Sequence, residues 1–112
     1  MSQFLVLLHR GHDTFARMSA DEMRTVLDKY AAWQDAVQAV DGKRLDSDAG
    51  KVLRSIDGSP VAVDGPYSET KEVLGGYYAI NASTYDEAVR MTLTHPLLEY
   101  GGTIELRKIH ES

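Results

Sequence analysis

The densest group of side chains able to do chemistry lies between positions 64 and 78: Asp64, Glu69, Lys71, Glu72, Tyr77 and Tyr78. Asp64 opens Asp64-Gly65-Pro66, a strong turn signature. Its carboxylate can accept backbone amides of that turn; at a strand end it can also act as a general base or ligand anchor. Turn statistics favour the first role, and the two are compatible. Glu69, Lys71 and Glu72 read either as a solvated loop or as the rim of a pocket, where Lys71 would hold an anionic substrate or pair with Asp64 or Glu69. Tyr77 and Tyr78 must point to opposite sides of a strand, so one belongs to the core and the other can offer its hydroxyl to a pocket. Gly75 and Gly76 before them allow a bulge or a close backbone approach.

The histidines divide similarly. His9 ends the first strand and shares parity with Leu5 and Leu7. His95 closes the second helix, where it either complements the negative helix end or serves as an acid/base group titrating near neutrality. His12 and His110 are expected at the surface. No metal is expected: no two histidines stand at helical ligand spacing, and His9, His12 and Asp13 make a weak set. No cofactor is implied, because Gly75-Gly76 opens a strand whereas a phosphate cradle opens a helix. There is no G-x-S-x-G nucleophile elbow.

Composition narrows the classes further. The chain has no cysteine, which excludes disulfides, thiolate metal sites and cysteine nucleophiles, and points to a reducing, cytoplasmic setting. With a net charge of −5 and no basic stripe beyond Lys43-Arg44, direct binding to a nucleic-acid backbone is not expected. The apolar start, Phe4 to Leu8, is too short for a membrane span or a signal-peptide core and is met at once by His9, Arg10 and His12. It reads as a buried strand. At 112 residues the chain is expected to form one domain over 1–112.

The elements that must position these groups follow from period and punctuation. A strand is expected over Gln3–His9. Ser19-Ala20-Asp21-Glu22 is a capping box. It opens a helix with its apolar stripe on Met23, Val26, Leu27, Tyr30, Trp33 and Val37, stopped at Asp41-Gly42. A short strand over Lys43–Asp46 follows. Lys51–Asp57 and Val61–Val63 form a hairpin about Gly58-Ser59-Pro60. Residues 67–72 read as a loop and Gly75–Ile80 as a strand. Ser83 or Thr84 caps a second helix ending near His95, before Pro96. After a turn at Gly101-Gly102 comes a last strand, Thr103–Ile109. The order predicts an α+β fold of the ferredoxin-like βαββαβ kind with an inserted β-hairpin.

Two helices cover only one face of an antiparallel sheet. The first strand nevertheless carries Phe4, Val6 and Leu8 on one side and Leu5 and Leu7 on the other. An apolar sheet face left in water is an association surface, so a homodimer with sheets packed face to face is expected. Ile104 and Leu106, alternating with Glu105 and Arg107, place the last strand at an edge.

One stretch goes further. Asp64-Gly65-Pro66-Tyr67, Glu69-Thr70-Lys71-Glu72 and Gly75-Gly76-Tyr77 resemble the DGPF-domain branch of the YCII-related proteins. The likeness takes in the helix start at Ser19–Met23 and His95-Pro96, and departs at Tyr67, where the motif has Phe. The resemblance implies a dimeric α+β barrel with a small-molecule pocket between sheet and helices. It raises Lys71 and Glu69 as ligand-binding residues beside Tyr78 and His9, with Asp64 and His95 as catalytic candidates. It also implies a sigma factor as a partner of some members. Two readings stay open: a module binding a small molecule, and a cofactor-free enzyme doing proton-transfer chemistry on a small polar or aromatic substrate.

Overall fold

The computed structural model describes residues 1–70 and 72–111. Strand β1 (Ser2–Gly11) buries Phe4, Val6 and Leu8 to 5% exposure or less on one face and leaves Leu5 and Leu7 half-buried on the other. Helix α1 (Ala20–Val37) starts as its sequence requires. The Glu22 amide donates to the Ser19 hydroxyl at 3.1 Å, and the Ser19 amide donates to the Glu22 carboxylate at 3.2 Å.

The helix does not run on to Asp41-Gly42. It stops at Gln38, which takes the left-handed conformation (φ 52°) usually left to glycine or asparagine. Gly42 is needed for something else. Asp41–Arg44 is strand β2, and a Cβ on Gly42 would lie 2.4 Å from the Tyr78 ring.

The hairpin pairs β3 (Lys51–Ile56) with β4 (Ser59–Asp64). Its turn is Asp57-Gly58, both at positive φ (51° and 80°), one residue earlier than Gly58-Ser59-Pro60. This doubly left-handed turn matches strand twist, and Asp-Gly is among its preferred pairs. Strand β5 (Glu72–Ala82) is longer than expected. Thr84 rather than Ser83 caps α2 (Tyr85–Thr92), its hydroxyl accepting from the Glu87 amide at 3.1 Å. A short 3-10 helix, Pro96–Tyr100, precedes β6 (Thr103–Lys108).

The main sheet has the order β2-β5-β1-β6 with every neighbour antiparallel, the ferredoxin-like arrangement, and β3–β4 forms a separate two-stranded sheet. The fold is therefore α+β, with β6 at an edge. Both helices lie on one face, over a core of Phe4, Val6, Trp33, Tyr78, Ile80 and Ala88. Trp33 is fixed at its polar end, its indole N–H lying 3.0 Å from the Met91 carbonyl.

The other sheet face is bare. Leu5, Leu7, Tyr77 and Ala79 form its half-buried apolar centre, and His9, Glu105, Arg107, Asp41 and Lys43 surround it. The result is a slab 47 × 44 × 19 Å with a radius of gyration of 15.9 Å. A compact domain of this length would have about 13 Å.

Candidate functional site

Between α1, the loop that precedes it and the β1–β5 pair, the layer opens into a cleft of about 400 Å³. Leu8, Met23, Leu27, Leu45 and Leu97 supply apolar walls, Phe15 and Tyr30 aromatic ones, and Arg10, His12, Arg44 and Ser47 the polar groups. A smaller recess of about 200 Å³ shares Leu8, Leu27, Tyr30 and Arg44 and reaches back to Tyr78.

The opening has a local cause in β5. Leu8 pairs with Gly76 and His9 with Leu74, so Gly75 is an extra residue between two rungs, a β-bulge. A Cβ on Gly75 would come within 2.9 Å of Nε of Arg10, and one on Gly76 within 2.9 Å of the Lys43 carbonyl. The first glycine thus seats the Arg10 side chain and the second lets β2 approach. Arg10 also lies 6.0 Å over the Phe15 ring, and Phe15 packs edge-on against Tyr100 at 5.8 Å. This stack holds the β1–α1 loop against the cleft. Lys29 ties the same corner down, reaching Glu99 at 3.1 Å and the Tyr100 hydroxyl at 3.2 Å.

The electrostatics are one-sided. No Asp or Glu lines the cleft, and among the described residues no carboxylate lies within 4 Å of Arg10 or Arg44. Burial pushes the phenols of Tyr30 and Tyr78 up to about 12, so both keep their protons at neutral pH and have an O–H to donate.

His95 lies behind these phenols, 1% exposed, with Tyr30, Trp33 and Tyr78 at ring-centroid distances of 4.6, 4.8 and 5.5 Å. It does not cap α2, which ends at Thr92; it begins the 3-10 helix, its Nδ1 accepting from the Leu97 amide at 3.0 Å. The proton therefore sits on Nε2, which has no hydrogen-bond partner among the described residues. Burial pulls the imidazole down to about 4. The ring is neutral at pH 7, which corrects both the helix-end cation and the group titrating near neutrality.

The other residues singled out from sequence are dispersed. Asp64 is exposed at the end of β4 and pairs with Lys51, while the Gly65 amide donates to the Gly50 carbonyl at 2.9 Å. The turn is thus closed by backbone, not by the Asp64 carboxylate. Glu69 is exposed on the following loop, and Lys71 lies outside the described residues. His9 is on the bare sheet face, its Nε2 3.1 Å from Glu105. Tyr78 is the core tyrosine of the pair; Tyr77 faces outward with its hydroxyl 3.3 Å from Asp41.

Arg10, Arg44, Tyr30 and Phe15 were not singled out. The signal that could have found them is the double glycine of β5, whose missing side chains have to leave room for something. Among the described residues, no cluster of His, Asp and Glu stands ready to hold a metal ion, and no helix is long and apolar enough to cross a membrane.

The fold matches that of 5-chloro-2-hydroxyhydroquinone dehydrochlorinase from Burkholderia phenoliruptrix AC1100, solved with 2,5-dihydroxybenzoquinone. The TM-score is 0.57 at 13% identity, covering 98% of this chain and 95% of that one. An uncharacterised protein of Rhizobium meliloti (strain 1021) is 44% identical over 41 residues, 37% of this chain and 33% of the relative's own length. Neither likeness supports the sigma-factor association. Residues 3–112 match the YCII-related domain, and with nearly its whole length so covered, the chain belongs to the YCII-related family.

Proposed function

We propose that the protein binds a small cyclic molecule in the cleft between α1 and the sheet, and that it does so as a homodimer. The carrying observation is the cleft itself. At about 400 Å³ it falls within the size range of small-molecule sites. Its walls are apolar and aromatic, with few polar groups, and a β-bulge forms its floor. The dehydrochlorinase that shares the fold was solved with a single-ring compound, 2,5-dihydroxybenzoquinone.

The dimer reading is supported by the bare face, whose apolar centre of Leu5, Leu7, Tyr77 and Ala79 has a charged surround. That is the core-and-rim anatomy of an interface. The absence of cysteine supports a cytoplasmic setting.

Amide chemical-shift mapping with 2,5-dihydroxybenzoquinone and catechol tests the cleft. Shifts should gather on Leu8, Leu27 and Gly75 and vanish in Leu27→Trp, which fills the space. Shifts confined to the hairpin or the outer face would overturn the assignment.

Cofactor-free proton transfer is the second reading, favoured by the presence of both His12 and Tyr30 in the cleft lining. An imidazole there can carry a proton to or from a bound ring while the phenol donates to a developing oxyanion. Asp64 does not line the cleft, and His95 is sealed behind Tyr30, so neither takes that part. Deuterium uptake from solvent into a cyclic ketone, read by mass spectrometry, should occur with the native protein and fail in His12→Ala. Equal uptake in both would reject it.

A further inference from the structure

From the strand order around the glycine pair, we infer that Arg10 and Arg44 form a two-sided clamp for a ring bearing a carboxylate or another oxyanion. This inference rests on the cleft being the binding site and names the class of ligand it takes. Arg10 is on β1 and Arg44 on β2, and β5 runs between those strands. Both side chains leave the helix-covered face. Arg10 shares parity with Leu8, and Arg44 shares parity with Gly42, whose missing side chain makes way for Tyr78. The backbones of two strands flanking a third lie about 10 Å apart. In most sheets the middle strand's side chains fill that gap. Here the middle strand offers Gly75 and Gly76, so a trough crosses β5 from one guanidinium stem to the other. Its width suits a six-membered ring with its substituents.

The charge balance points the same way. The chain carries a net −5, yet two arginines and a histidine line a cleft with no acidic residue. Arg10 is half-buried, with a single side-chain hydrogen bond among the described residues, 3.3 Å from its Nη1 to the Gly11 carbonyl, and Phe15 beneath it. A planar guanidinium stacked on a ring, with most of its donors unused among the described residues, is prepared for bidentate contact with an oxyanion. A ligand anion supplies the countercharge that the fold withholds from both arginines.

The test compares benzoate with benzamide, which matches it in shape but is neutral. Both are titrated into the native protein, Arg10→Ala, Arg44→Ala and Arg10→Lys, with the cleft amides as the readout. Native protein should bind benzoate at least tenfold more tightly than benzamide. Each alanine variant should erase that preference, benzoate losing at least tenfold more affinity than benzamide, and Arg10→Lys should restore only part of it, because an ammonium lacks the fork. Raising the salt should weaken benzoate alone. Equal binding of the two probes at the cleft would overturn the clamp and leave the cleft reading standing. Failure of both probes to perturb the cleft amides, or perturbation elsewhere only, would overturn the cleft reading and the clamp with it.

Discussion

Phe4 and Arg10 stand on the same face of the same strand and meet opposite surroundings. Around Phe4 the layer is filled: Ile80 and Ala82 come from β5, Ala88 from α2, and the Tyr85 ring packs edge-on at 4.8 Å. Around Arg10 the neighbouring strand offers glycine, the backbone bulges, and α1 leaves a cleft. Both ends are built from one pair of strands, so the difference lies in side-chain volume on β5, from Tyr78-Ala79-Ile80 at one end to Gly75-Gly76 at the other. Filled space gives stability and empty space gives a place for a ligand, and the molecule keeps the two apart along a single strand.

The largest effect expected from breaking the filled end is on stability. Ile80→Ala removes a fully buried side chain and should cost about 2–5 kcal/mol, read from the urea midpoint. Acid should come next. His95 is held near 4 in the fold against about 6.5 in the open chain. Between those values the unfolded state takes up a proton that the folded state refuses. Stability is therefore fully present above about pH 6.5 and falls as pH drops towards 4, by about 3 kcal/mol from this group. Urea midpoints measured across that window should slope clearly in the native protein and less steeply in His95→Gln. A flat native profile would mean that the ring is reachable by water.

The outer face offers a test of another kind. Leu7→Glu places a charge at its apolar centre and should halve the particle mass from a dimer towards the 12.4 kDa chain in light scattering. An unchanged mass would remove the support for face-to-face association. Smallest of all should be the stability change on opening the cleft end: Arg44→Ala, exposed and without an ion pair among the described residues, should move the urea midpoint by no more than about 0.5 kcal/mol. A large loss there would mean that the arginine supports the fold rather than a ligand.

The fold was legible wherever local chemistry and burial agree. Ser19 and Glu22 marked a helix start that the structure keeps to the residue, and the alternation of Ile104 and Leu106 with charged neighbours marked an edge strand. Reading failed where a residue served a distant partner. Gly42 looked like a helix stop, yet its bareness accommodates the Tyr78 ring, while Gln38 absorbs the left-handed turn against its preference. His95 looked like a helix end because the 3-10 turn that buries it carries no periodic signal. The site was harder still. Arg10 and Arg44 come from different strands and are brought to one trough only by the insertion of β5 between them. Nothing in their local sequence distinguishes them from surface arginines. Asp64 and Glu69 belong to a motif conspicuous in sequence, yet they lie outside the cleft.

A crystal structure of the protein grown with saturating benzoate puts the account to its most direct trial. The ring should lie over Gly75 and Gly76 with its carboxylate within hydrogen-bonding distance of the guanidinium groups of Arg10 and Arg44. Benzoate seated on the hairpin or the bare sheet face, or a cleft holding only solvent at saturation, would contradict it.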